Sequence, residues 1–171
     1  ALDGLHPNPS GDDRYFHNLF VGGSGLAAYD RAELPVRMAG NVFLGGARPS
    51  RHEGEPLVLE SFDPGLRLRQ EGQAWILELR LADDWRSSGP RPLVDSELLG
   101  ATAATGLPFE HPDGAPIRLE ADFHDRPREA GAAFPGPFEV AGDGRLSLRS
   151  WPRTPAGADW RAAPRPPAPA G

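Results

Sequence analysis

The stretch from residue 18 to residue 46 opens with NLFVGG (18–23) and closes with NVFLGG (41–46), so one short pattern occurs twice, 23 residues apart. Each copy is a run of strand-forming apolar residues that begins with Asn and ends with Gly-Gly. Arg14 and Arg37 keep the same offset. Repeats of about 20 to 30 residues are typical of solenoid proteins, in which each repeat forms one turn of a stacked coil. The alternative interpretation is two unrelated strands that share a dipeptide.

The composition of the repeat favours a β-solenoid, because it contains strand formers and no amphipathic helical run. Equivalent residues of neighbouring turns then lie about 4.8 Å apart. We therefore expect Asn18 to lie beside Asn41, with their side-chain amides hydrogen-bonded along the stack. Residues 1–50 supply about two turns, whereas a stable coil usually needs at least three. The sequence therefore predicts the C-terminal end of a larger protein, with further turns before Ala1.

Composition excludes several classes of function. Among 171 residues there are 21 Gly and 20 Pro, which favours many turns and few long helices. The net charge is −6 and no residue is Lys, which argues against a nucleic-acid partner. The absence of Cys excludes disulfides and thiolate metal sites, and the His spacings fit no metal site. No apolar run is long enough for a membrane span. We expect no cofactor, and the cellular compartment stays open.

The second part of the chain alternates apolar and polar residues with a period of two, which is typical of antiparallel strands with one buried face. The alternating segments are 57–60, 66–69, 75–82, 117–123 and 146–149. Turn signals separate them, so 51–151 is predicted to form a small antiparallel β-sandwich after a polar hinge at 51–55. Trp75 lies on the apolar alternation and is predicted to belong to the core. Trp85 fits either the core or an exposed sugar-stacking surface. The Pro- and Ala-rich tail, 152–171, is predicted to be disordered.

A set of short motifs is shared with a known group of proteins. The motifs are GDDRYF (11–16), NxFVG (18–22), LPVxMxGNVF (34–43), GAxPS (46–50), LLG (98–100), LPFExPDGxP (107–116) and PGPFE (135–139). As a set they resemble bacterial right-handed parallel β-helix glycoside hydrolases, particularly the β-xylosidases of glycoside hydrolase family 120. The resemblance covers about residues 5–151. His17 departs from it, because a second Asn is expected there.

The resemblance implies an all-β chain: the last turns of a right-handed parallel β-helix (1–50), an antiparallel β-sandwich-like domain (51–151) and the tail. It also implies a retaining carboxylate pair in a catalytic core that lies mostly upstream. An active protein of this kind is a β-xylosidase-like glycoside hydrolase, incomplete in this chain. The expected partners are an oligosaccharide or glycoside substrate and the upstream β-helix of the same protein.

Retaining hydrolysis needs two carboxyl groups about 5 Å apart, one ionised and one protonated. Asp12 and Asp13 lie at the mouth of one coil turn, and Glu33 lies on the loop entering the next. We predict Asp13 or Asp12 as the nucleophile and Glu33 as the acid/base. One of the two Asp carboxyl groups is expected within about 7 Å of that of Glu33 or Asp30. The register fits incompletely, because Glu33 lies three residues before the position above Asp13. The alternative is that these acids stabilise turns or pair with Arg14 or Arg37.

Three further polar residues lie on the same loops. His6, Asn8 and Asp30 are predicted to hydrogen-bond sugar hydroxyls, although each residue type also stabilises turns. Two other functions stay open. One is a non-catalytic module that caps the coil and binds glycan. The other is a fragment of a polysaccharide lyase, in which Arg14 or Arg37 would act as the base.

Overall fold

The computed structural model describes residues 9–82, 85, 88–139 and 144–152. The strands are β1 (Arg14–Phe16), β2 (Leu19–Val21), β3 (Arg37–Ala39), β4 (Val42–Leu44), β5 (Glu53–Gly54), β6 (Leu57–Leu59), β7 (Arg67–Glu71), β8 (Ala74–Arg80) and β9 (Arg145–Trp151). Only a 3₁₀ helix, Ala27–Arg31, and a single turn, α1 (Ser96–Leu99), interrupt them in this part of the chain. The expected all-β class is therefore confirmed. None of the helices found there has the length and apolar character that crossing a membrane requires.

The repeated pattern forms parallel strands in register. Strands β1, β3 and β5 make one parallel sheet, and β2, β4 and β6 make a second. Phe20 pairs with Phe43, and their rings stack with centroids 5.2 Å apart. Gly22 and Gly45 close the two copies with φ angles of 67° and 56°, a conformation that side chains disfavour. The predicted parallel pairing of 18–21 with 41–44 is confirmed.

The amide ladder expected from the two Asn residues is also present. The Asn18 side chain donates to Asn41 Oδ1 at 3.0 Å, and the Asn18 backbone N–H donates to the same oxygen at 2.7 Å. Asn41 Nδ2 in turn donates to the carboxyl of Glu53 at 2.8 and 2.9 Å. The ladder therefore crosses the stack and ends on a carboxylate rather than on a third Asn.

A third layer continues the stack beyond the predicted boundary at residue 50. The segment 57–59 pairs parallel with β4, and 53–54 pairs parallel with β3. The expectation that 57–60 begins an antiparallel sheet is therefore wrong, and the predicted hinge at 51–55 carries a strand of the coil. Three alternating residues cannot distinguish the two arrangements, because the side chains of any strand alternate between its faces. The three-part division of the chain stays a prediction.

A single antiparallel sheet packs against the outside of the parallel stack. It has the order β7-β8-β9. Val42 and Leu44 point from β4 into the same buried cluster as Leu79, Leu146 and Leu148 of this sheet. On the other face of β4, Phe43 packs inside the coil with Leu26, Met38 and Ala47. Strand β4 is buried on both faces, which explains its uninterrupted apolar sequence.

The predicted sandwich is not confirmed, because the described residues of this part of the chain form one three-stranded antiparallel sheet. Segment 117–123 was expected to be a strand, but it makes isolated bridges such as Ala121 to Pro127. Frequent prolines between residues 108 and 137 remove the N–H groups that a continuous ladder requires. Trp85 is 1% exposed, so its side chain belongs to the core. The predicted tail lies outside the described residues from 153 onward, as do His6 and Asn8.

Candidate functional site

The two acid-bearing loops lie against each other at one edge of the coil. The backbone N–H of Glu33 donates to the carbonyl of Ser10 at 2.8 Å, and that of Asp12 donates to the carbonyl of Pro35 at 3.0 Å. The side chain of Glu33 is exposed to solvent. The two acidic loops therefore lie side by side at one edge of the parallel stack. The separation of about 7 Å between their carboxyl groups stays a prediction.

Asp12 holds a neighbouring loop in place. Its carboxylate accepts from the backbone N–H of Ala103 at 2.8 Å, from that of Ala104 at 3.2 Å, and from Arg14 at 3.2 Å. The hydrogen bond from Ala103 is the main reason that the pKa of Asp12 lies below its usual value. These contacts use both carboxylate oxygens. They suit Asp12 for fastening the loop at 101–104 rather than for attacking a substrate.

Arg14 fastens the same loop from strand β1. Its side chain is 7% exposed, its Nε donates to the carbonyl of Leu99 at 2.7 Å, and its NH2 donates to that of Ala101 at 2.7 Å. The guanidinium also lies over the ring of Phe109, 5.2 Å from its centroid. The predicted pairing of an acid with Arg14 is found for Asp12.

Asp13 lies near a pair of hydrogen-bonded tyrosines to which no sequence motif points. The hydroxyl groups of Tyr15 and Tyr29 are 2.6 Å apart, and Asp13 lies close enough to Tyr29 to affect it electrostatically. The bond to Tyr15 is the main reason that the pKa of Tyr29 is raised, with smaller contributions from burial and from Asp13. One sequence signal was available. Asp13 and Tyr15 are two residues apart at the start of a strand, so their side chains share a face.

Asp30 stabilises the turn that follows β4. It accepts from the Ser50 hydroxyl at 2.9 Å and from the backbone N–H of Arg51 at 2.7 Å. The bond from Arg51 is the main reason that the pKa of Asp30 is lowered. The turn-stabilising alternative is thus found in the structure, whereas the sugar-binding role of Asp30 stays a prediction. In the described residues, no group of three or more acidic or His side chains is placed to hold a metal ion.

His17 takes a different place from the Asn that the family resemblance leads us to expect. It is 7% exposed, and its imidazole packs against Gly40 beside the buried Arg91. Burial, followed by the charges of Arg91 and Arg128, lowers the pKa of His17 to about 4. Its backbone φ of 56° turns the chain before Asn18.

The buried imidazole predicts acid sensitivity. Because the folded-state pKa lies below the value of 6.5 for a free imidazole, the unfolded chain binds the proton first as the pH falls. This residue should therefore lower the free energy of unfolding by about 2 to 3 kcal/mol between about pH 7 and pH 4. His17→Asn keeps a residue type that tolerates positive φ and does not titrate. Urea titrations at the two pH values should show a smaller decrease in the free energy of unfolding for this variant than for the wild type. Equal decreases would contradict the conclusion that His17 causes the acid sensitivity.

The chain is similar in structure to a known protein, whereas its sequence matches no family model. No protein-family model matches the sequence, and no curated protein matches it. The chain is similar to a solved structure of XylC in complex with xylose, with a TM-score of 0.74 and 25% sequence identity. The match covers 82% of this chain and 26% of that one, so the chain spans about a quarter of the length of XylC. This similarity supports the fold relationship that the sequence motifs indicate.

Proposed function

We propose that the chain is the C-terminal part of a carbohydrate-active β-helix enzyme that hydrolyses glycosidic bonds with retention. The observation that carries the proposal is the similarity to the XylC–xylose structure over 82% of the chain. The motifs shared with the β-xylosidases of glycoside hydrolase family 120 point to the same sugar. We therefore place the substrate among β-xylosides and short xylo-oligosaccharides.

The edge strands support an upstream coil. Among the described residues, strands β1 and β2 are each paired on one side, by β3 and β4, and their other edges are open. An open parallel edge is a template for a further strand. A cavity of about 410 Å³ adjoins this edge, lined by Phe16, Leu19, Leu119 and Pro137 among others. In our proposal, the preceding turns of a right-handed parallel β-helix from the same protein pair with β1 and β2.

Within this enzyme we assign the nucleophile to Asp13 and the acid/base to Glu33. Asp13 is half-buried near Tyr29, and we assign attack on the anomeric carbon to its carboxylate because Asp12 is engaged with the loop at 101–104. The exposed Glu33 lies on the adjoining loop, where it can protonate the leaving oxygen and later activate water. In this proposal Asp12 does not react. It accepts hydrogen bonds from the backbone N–H groups of Ala103 and Ala104 and so holds the adjoining loop in place.

A second candidate function is a non-catalytic module that caps the coil and binds glycan. The specific observation in its favour is that Asp12 and Asp30 both make turn-stabilising hydrogen bonds. The lyase alternative has less support. The guanidinium of Arg14 donates to the carbonyls of Leu99 and Ala101, which leaves it poorly suited to act as a base.

The test uses the protein with its upstream coil and an aryl β-xyloside. We expect hydrolysis, with β-xylose as the first product in a proton NMR time course, because a covalent glycosyl-enzyme intermediate preserves the anomeric configuration. The 171-residue chain alone should be inactive. First release of α-xylose would contradict retention. Binding of xylo-oligosaccharides without any hydrolysis would favour the non-catalytic module.

A further inference from the structure

Three exposed side chains lie in one row across the antiparallel sheet. Gln70 of β7 pairs with Trp75 of β8, and Trp75 pairs with Trp151 of β9. Directly paired residues of antiparallel strands project from the same face, about 5 Å apart at their Cα atoms. Trp75 is 39% exposed and Trp151 is 61% exposed. The prediction that Trp75 belongs to the core is therefore wrong, because the sheet extends past the layer that packs on the coil.

The row sits on an anchored support. Leu79 of strand β8 and Leu81, just after it, belong to the buried cluster that joins the sheet to the parallel stack, and Leu77 of β8 packs against that cluster. The two indoles themselves are not in ring contact with each other, so each presents its own ring surface. The Gln70 side chain is fixed by a hydrogen bond from its Nε2 to the carbonyl of Gly72 at 3.0 Å. This bond leaves the Gln70 side-chain oxygen as an acceptor beside Trp75.

We propose that Gln70, Trp75 and Trp151 form a binding site for an oligosaccharide of pyranose units, separate from the proposed catalytic acids. A pyranose ring presents C–H groups on its faces and hydroxyl groups at its rim. The electron-rich face of an indole attracts polarised C–H groups and gives dispersion contact over a large area. The Gln70 oxygen can accept from a rim hydroxyl. The sugar class, xylo-oligosaccharide, rests on the proposed function, whereas the row itself rests on the geometry of the sheet.

The combination of groups selects this occupant over a second protein chain. A protein interface of this kind gains most from a continuous apolar core that excludes water. Here the two aromatic surfaces are separate, and a polar amide occupies the third place in the row. That alternation of ring surface and hydrogen-bonding group matches a chain of sugars, whose faces and rims alternate in the same way.

Calorimetric titration of the protein with xylohexaose tests the site. We expect Trp75→Ala and Trp151→Ala each to weaken binding at this site about tenfold or more, and the double variant to leave only binding at the proposed catalytic site. Trp75→Phe should retain most of the affinity, because it keeps a ring at the same place. Gln70→Leu should weaken binding by less than either Trp variant. Leu107→Ala is the matched control, since Leu107 is an apolar side chain, 63% exposed, that lies outside this sheet.

The outcomes separate this proposal from the catalytic one. Hydrolysis of a small aryl β-xyloside should be unchanged in the Trp variants, because that substrate is too short to need a second site. Loss of xylohexaose binding in the Trp variants of a protein without hydrolytic activity would support the sugar site and reject the catalytic assignment. The sugar site is overturned if wild-type protein does not bind xylohexaose, or if the Trp variants bind it as well as wild type does. It is equally overturned if they change only the oligomeric state.

Discussion

Replacing Asn41 by Leu should lower the free energy of unfolding by about 3 kcal/mol or more. Leu has the same branched shape as Asn with two bulkier methyl groups, so the loss arises from the hydrogen bonds and from crowding and not from a cavity. Asn41 is fully buried. Its oxygen accepts from Asn18 at 2.7 and 3.0 Å, and its nitrogen donates to the carbonyl of Tyr15 at 2.8 Å and to Glu53. With Leu at this position, Asn18, the Tyr15 carbonyl and the Glu53 carboxyl each lose their hydrogen bonds to the Asn41 side chain.

The Glu53 carboxyl gives this prediction a second readout. Burial raises the pKa of Glu53, and the hydrogen bonds from Asn41 oppose that shift. Without Asn41 the folded-state pKa should rise further. A carboxyl with a raised folded-state pKa favours the fold when it is protonated, and this contribution is lost as the pH rises through that pKa. The stability deficit of Asn41→Leu should therefore grow between about pH 4 and pH 7.

Urea titrations of the wild type and two variants check the prediction. Asn18→Leu is the control, because Asn18 belongs to the same ladder but lies at its half-buried end. Its side chain donates to Phe16 and Asn41, so its removal affects fewer buried groups. The Asn18→Leu loss should be the smaller of the two. An Asn41→Leu loss no larger than that of the control would show that the ladder does not stabilise the stack.

The parallel stack was predictable from the sequence because its register is repeated in the residues themselves. An offset of 23 residues places Asn18 beside Asn41 and Phe20 beside Phe43, as observed. The third turn was not predictable by the same rule. There Val42 pairs with Leu57 over a shorter turn, and Glu53 takes the place that a repeated Asn would have had. Glu53 accepts from the Asn41 amide without standing at the repeated Asn position, so the sequence of the third turn contains no detectable repeat.

The candidate site was predictable only in part. The sequence predicts that the loops of Asp13 and Glu33 adjoin, but it does not show which of Asp12 and Asp13 has the structural role. The structure distinguishes the two roles, because Asp12 has a φ of 64° and its carboxyl is bonded to the loop at 101–104. Asp13 lies near Tyr29, which belongs to the 3₁₀ helix of the following loop. This proximity of residues that are distant in sequence depends on packing that periodicity does not encode.

In the protein with its upstream coil, Asp13→Asn should lower turnover of an aryl β-xyloside by about a thousandfold or more. An amide keeps the size and shape of the carboxylate but cannot attack the anomeric carbon. The variant should unfold at nearly the wild-type temperature, because Asp13 is half-buried and its shape is preserved. Glu33→Gln should spare substrates with activated leaving groups, which need no proton, while it slows those with poor ones.

Asp12→Asn is the matched control for this experiment, since it makes the same chemical change one residue away. Asp12 accepts from Ala103, Ala104 and Arg14, and an amide can satisfy only part of that set. We expect this variant to lose thermal stability and to retain far more turnover than Asp13→Asn. If both Asp variants kept full turnover, these acids would be structural, and the catalytic pair would lie in the upstream coil. If Asp12→Asn alone abolished turnover without loss of stability, the roles of the two residues would be exchanged.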